Sequence, residues 1–210
     1  MSTQNREYPL RTEVIEEQDL EVALETIKLL NLRGKRNLLE LCLFEAEIPA
    51  LDVITVLDEL ETRGFFEAPA STKYHGCEAG DLFNHSFMVY LTLKKWTKAG
   101  IIEWGYDYSP LLIGIFHDLC KMDSYSLNSS GGGYTYNPEQ FPLGHHALAS
   151  LVYAQGMVKL TEEEILCIRW HMGPYEGQDS WNLYDRAIKE YNTVLWTHQA
   201  DMYVSKVLGV

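Results

Sequence analysis

Seven histidines occur in the 210 residues, and most of them fall near the ends of apolar segments. His85 sits in DLFNHSFMVYL. His117 and Asp118 stand side by side in LLIGIFHDLCK. His145 and His146 form a pair in GHH, His171 lies in RWHMG, and Asp201 lies in HQADMYVSK with His198 one turn before it. An isolated carboxylate is prohibitively costly to bury, and a buried imidazole requires a partner. A shared divalent cation would satisfy the whole ordered set. The ligands would be imidazole nitrogen and carboxylate oxygen, without thiolate. That choice suits Fe, Mn, Co, Ni or Zn and does not select among them. At the fourth position either His145 or His146 can serve.

Helical segments must carry these residues. Apolar positions at helical spacing predict a helix from about Glu16 to Leu32 with Gly34 as its stop, and a second from Asn37 to Ala46. Pro49 stands where a first helical turn would begin, and ALDVITVLDELETRG runs on to a Gly64 stop. These helices form an N-terminal helical extension over residues 1–67, loosely similar to a helix-turn-helix but acidic. APASTKYHGCEAGD, 68–81, is loop chemistry and marks the start of the main domain, 68–210. A long helix is expected from about Leu82 to Lys98, ended by Gly100. Ser109-Pro110 opens the next, which carries His117 and Asp118 and ends soon after Lys121. YSLNSSGGGYTYN predicts a short β-hairpin around a Gly-rich turn. Pro142 opens a helix to about Lys159. Thr161 with Glu164 forms a capping box for another, which ends at His171. One or two helices follow from about Leu183 to Val207. The fold class is therefore all-α, with a hairpin insertion.

Composition narrows the functions. The net charge of −13 disfavours a sequence-independent grip on nucleic acid by a basic face. No apolar run approaches the roughly 20 residues needed to span a membrane. The N-terminus lacks the apolar centre of a signal peptide. Cys42, Cys77, Cys120 and Cys167 contain no CxxC pair and read as buried free thiols of a cytoplasmic protein.

The spacing His85…His117-Asp118…Asp201 resembles the HD-domain metal-dependent phosphohydrolase superfamily, over roughly Ala68 to Lys206. PASTKYHGCEAGDLFNHS is similar to the family's loop-to-helix entry, although its usual Gly-Gly-Leu-Leu-Glu-His run stands here as Ala79-Gly80-Asp81-Leu82-Phe83-Asn84-His85. FHDLCK fits the His-Asp-x-x-Lys form. GHH and RWHMG resemble the extra histidines of members that hold two metals, and HQADMYVSK the closing segment. The resemblance implies an HD-domain helical bundle. It also implies His85, His117, Asp118 and Asp201 as ligands of a first ion, Asp118 as a bridge, and His145 and His171 as ligands of a second. His145 is preferred to His146, since in similar sequences the ligand follows the glycine directly. Lys121, three residues after Asp118, is placed to reach a phosphate oxygen.

The expected activity is cleavage of a phosphate ester of a nucleotide-type small molecule by metal-activated water. Asp118 would accept the water's proton, and a neighbouring histidine would protonate the leaving oxygen. Tyr125, Tyr134, Tyr136 and Phe141 could offer a nucleobase a stacking surface. Other readings are an HD-type nuclease or exoribonuclease, for which no basic or aromatic platform is seen, a non-hydrolytic nucleotide- or metal-binding sensor module, and a di-iron oxygenase.

Overall fold

A computed structural model of the protein describes residues 12–72, 76–128, 132–140, 142–143, 145–175 and 178–210. His75, Phe141, Gly144, residues 1–11 and the 129–131 part of the expected turn lie outside them. The first helices are α1 (Thr12–Glu17), α2 (Leu20–Lys28), α3 (Leu32–Glu45) and α4 (Val53–Thr62). The single helix expected over Glu16 to Leu32 is thus divided. The Asn31 side chain accepts the Gly34 N–H at 2.8 Å and caps α3. Gly34 therefore lies in the first turn of a helix and ends none. Pro49 likewise opens no helix. Glu47 and Ala50 both adopt positive φ in the connection, and α4 starts at the cap of Asp52, which accepts from the Thr55 N–H at 3.1 Å.

The main helices are α5 (Asp81–Lys98), α6 (Ser109–Phe116) and the short α7 (Lys121–Ser124). α5 is buried on every side from Asp81 to Leu93, and α6 along its whole length. A helix buried all round belongs at the centre of a core, and these two pack against each other there. Gly114 makes the close crossing possible: a Cβ on it would stand 2.6 Å from the Tyr90 backbone. α6 stops earlier than its pattern suggests. After Phe116 the hydrogen bonds tighten to i→i+3, with Leu119 N–H to Phe116 O, Lys121 N–H to Asp118 O and Met122 N–H to Leu119 O. This turn separates α6 from α7 and turns His117 and Asp118 inward.

The hairpin follows, as β1 (Tyr125–Leu127) antiparallel to β2 (Tyr134–Tyr136), with Tyr125 opposite Tyr136. Pro142 and Leu143 precede α8 (His146–Met157), for which His145 is the N-cap in extended conformation. α9 (Glu162–Trp170) carries the expected capping box of Thr161 and Glu164. α10 (Gln178–Glu190) and α11 (Thr193–Tyr203) complete the chain, and a π-helical turn over Val204–Leu208 continues α11.

Two tethers set the site helices. Glu164 also accepts the Ser109 hydroxyl at 2.8 Å, so the starts of α6 and α9 are clasped together. Both helices then run toward the same place, where they end at His117 and His171. The buried Lys35 ammonium donates to the Gly80 carbonyl at 2.9 Å and pins the start of α5 to α3. The apolar core is continuous from Ile15, Leu24, Leu39 and Leu57 on α1–α4 through Phe83 and Phe87 to Leu112, Ile168 and Val194. The cysteines are free thiols, three of them buried and Cys77 half-buried. Among the described residues, no helix is long and apolar enough to cross a membrane.

Candidate metal centre

Five helical elements bring their polar ends to one buried point. His85 comes from the second turn of α5, His117 and Asp118 from the turn after α6, and His146 from the first turn of α8. His171 caps the end of α9, and Asp201 comes from α11. His117 and His171 are fully excluded from solvent, and His85, Asp118 and Asp201 nearly so.

Three of the rings are fixed by main-chain carbonyls. Nδ1 of His85 lies 3.0 Å from the Val210 oxygen, Nδ1 of His117 lies 2.9 Å from the Gly114 oxygen, and Nδ1 of His171 lies 2.7 Å from the Ile168 oxygen. A carbonyl only accepts, so each Nδ1 carries a proton, and in the neutral ring that a metal requires each Nε2 presents a lone pair. All three lone pairs face carboxylates. His85 Nε2 is 3.2 Å from Asp201 Oδ1 and 3.4 Å from Asp118 Oδ2. His117 Nε2 is 3.5 Å from Asp118 Oδ2, and His171 Nε2 is 3.4 Å from Asp118 Oδ1. The Nε2 atoms of His85 and His117 approach to 3.1 Å, and His171 Nε2 has no hydrogen-bond partner among the described residues. Acceptors facing acceptors in a dry interior repel one another. A cation among them reverses the sign, and carbonyl-anchored Nδ1 protons are the support that ligating histidines require.

Two groups of ligand atoms result: His85, His117 and Asp118, and Asp118, His146 and His171. Within each, the atoms lie within 4.8 Å of one another, and each group can hold a metal ion. Asp118 belongs to both, with Oδ2 toward the first and Oδ1 toward the second. Asp201 Oδ1 adjoins the first group through His85 and His117, at 3.2 and 4.0 Å.

Charge is balanced locally. Burial opposes ionisation of Asp118, but Lys121, His117 and His146 hold its carboxyl well below the usual range. Lys121 Nζ lies 2.5 Å from Asp118 Oδ2. Burial disfavours that ammonium too, yet the attraction of Asp118 raises its pKa. Burial likewise opposes ionisation of Asp201; in the metal-free centre a ring proton takes the cation's place, and the hydrogen bond from His85 with the attraction of His85, His117 and His171 keeps the carboxyl low. His146 is shifted down because its burial outweighs the pull of Asp118.

The structure brings together His85, His117, Asp118, Lys121, His171 and Asp201. At the fourth position it departs from the expectation. His146, not His145, reaches the centre, with its Nε2 on Asp118 Oδ1. His145 precedes the helix and is exposed. The phase of α8 decides between them: Ser150 and Ala154 lie on the buried face at four and eight residues after His146. That phase is set by packing, since the small and apolar residues of α8 fall on all its faces. The carbonyl of Val210 and the contact of Cys120 with His146 left no sequence signal.

A cleft of about 560 Å³ opens beside the centre. Its walls include His145, His146, Cys120, Asp123, Tyr125 and Tyr136. Tyr125 and Tyr136 stand opposite each other across the hairpin, with ring centres 5.4 Å apart and the planes tilted by 54°. Tyr134 is not among the described lining residues; burial and the charges of Glu67, Glu78 and Asp81 raise its pKa. Compared with known protein families, curated proteins and solved structures, the chain matches none. The helical fold with its buried His/Asp cluster is compatible with an HD-type architecture.

Proposed function

We propose that the chain is a metal-dependent phosphohydrolase that cleaves a phosphate ester of a nucleotide-type small molecule. The observation that carries this reading is the inward-facing set of lone pairs: His85, His117 and His171, each with Nδ1 spent on a carbonyl, around Asp118. It is joined by a cleft that opens at His146 and is walled by Tyr125 and Tyr136. Bound divalent ions would acidify water and neutralise phosphate oxygens at this point. His85, His117, Asp118 and Asp201 are the residues suited to hold one ion, and Asp118, His146 and His171 a second.

The chain's own groups do the rest. Lys121 neutralises Asp118 and is within reach of an incoming phosphoryl oxygen. Asp118 accepts the proton of the attacking water. His145 lines the cleft outside both ligand groups and is suited to protonate the leaving oxygen. The paired tyrosine rings of the hairpin offer a planar base a face to stack on.

A phosphate-release screen of the purified protein over nucleotide classes, with Mn²⁺, Co²⁺ or Ni²⁺ added, tests the proposal. Release from mononucleotides or dinucleotides that disappears in Asp118→Ala supports it. Lys121→Ala is expected to lower kcat with the ions still bound. Processive degradation of single-stranded RNA with no action on small nucleotides would replace this reading with the nuclease one.

A further inference from the structure

We propose that Cys120 is the positioning residue for His146, and that the ion held by Asp118, His146 and His171 is consequently the more loosely bound of two. This rests on the metal reading above and deepens it. The other three histidines spend Nδ1 on backbone carbonyls, those of Gly114 and Ile168 within helices α6 and α9 and that of Val210 after the last helical turn. His146 does not. Its Nδ1 lies 2.8 Å from Cys120 Sγ, while its Nε2 meets Asp118 Oδ1. Thiol, imidazole and carboxylate therefore form one chain, and the ring is held from both sides.

For Nε2 of His146 to ligate an ion, the ring proton must reside on Nδ1. The sulfur of Cys120 then accepts that proton in a hydrogen bond, as a carbonyl does for the other rings. Sulfur is the weaker acceptor, and the His146 side chain retains about a third of its exposure where His117 and His171 retain none. The same helix supports the contact twice. Ser150 Oγ, one turn after His146 on α8, accepts the Cys120 N–H at 3.1 Å. α8 thus supplies the ligand and also holds the turn that carries the residue orienting it. The remaining buried thiols have no such position: Cys42 lies on α3, and Cys167 faces Thr193 at 3.6 Å.

Equilibrium dialysis of the full chain against Co²⁺ tests the inference, with the visible Co²⁺ spectrum recorded at each loading. The wild type is expected to take up two ions. In Cys120→Ala and Cys120→Val one ion should bind as in the wild type, and the other about 10–100-fold more weakly, the usual effect of removing an outer partner. Cys120→Ser keeps an oxygen acceptor and should restore most of the second affinity. Circular dichroism of the metal-free variants checks that the fold is intact, and Cys120→Ser keeps the test decisive if the apolar variants do not fold. Both ions bound at wild-type affinity in Cys120→Ala overturns the inference, and so does an equal loss at both sites. A wild type that binds a single ion overturns it while leaving a metal-dependent reaction possible. A wild type that binds none removes the metal reading as well.

Discussion

Asp118 faces both ligand groups, one carboxylate oxygen to each, while its sequence neighbour His117 serves only the first. Asp118→Asn keeps the shape and deletes the charge both groups share. It should lose both ions, with affinity reduced by more than about 100-fold, since the change strikes a ligand and not an outer partner. Elemental analysis of the purified variant is the check, and full occupancy would contradict the assignment. The carboxyls also set a pH response. Asp118 and Asp201 are held below their ordinary values in the folded, metal-free protein. Near pH 4 and below, the unfolded chain therefore binds more protons than the folded one, and stability rises with pH. The contribution is complete above the unfolded carboxylate value of about 3.9 and is lost as the pH falls through the folded values. Thermal melts of chelator-treated protein between neutral and acid pH should show the loss, and Asp201→Asn should flatten it. At this scale the residue types were legible, because a His-Asp pair in an apolar run has few inexpensive explanations. The choice between two adjacent histidines required the phase of α8. The tyrosines were legible as a group, but only the pairing of Tyr125 with Tyr136 shows which line the cleft.

Among the elements, the contact of α5 with α6 does most to set the centre. It brings His85 beside His117, and Gly114 permits it. Gly114 also supplies the carbonyl that fixes the His117 ring. Gly114→Ala forces a methyl group against the Tyr90 backbone. It should cost about 1–3 kcal/mol as overpacking and move the two histidines apart. Denaturant melts of the metal-free protein and a metal-uptake assay measure the two effects separately; a stable variant that binds metal normally would show that the crossing has room to spare. The capping box of α9, the hairpin, the long α5 and the apolar run of α6 were readable from local patterns. The divisions among α1, α2 and α3 were not. There the apolar spacing runs on across Asp19 and Asn31, and the caps interrupt the backbone without interrupting the pattern. Pro49 was a permitted helix start, but Asp52 provides the stronger one by accepting from both the amide and the hydroxyl of Thr55.

Taken as one body, the molecule surrounds its centre with contributions from most of its length, from α5 to the last residue. No local pattern could have revealed that the Val210 carbonyl, 125 residues from His85, fixes that ring. Removing Gly209 and Val210 deletes no helical residue and one small core side chain, so the helices should stay in place. His85 would lose its anchor, and affinity for the first ion should fall about 10–100-fold. Circular dichroism and metal titration of the shortened chain test this, and unchanged affinity would show that the ring is held by packing alone.

The same bond orders events during synthesis. His85 emerges from the ribosome well before residue 210 exists, so its ring cannot be locked in the ligating orientation while the chain is still growing. Until then His85 can stand beside His117 without the bond that fixes its ring. On the metal reading, the first group reaches its full affinity only once residue 210 has been made and has docked, so the orientation of His85 is among the late steps of folding.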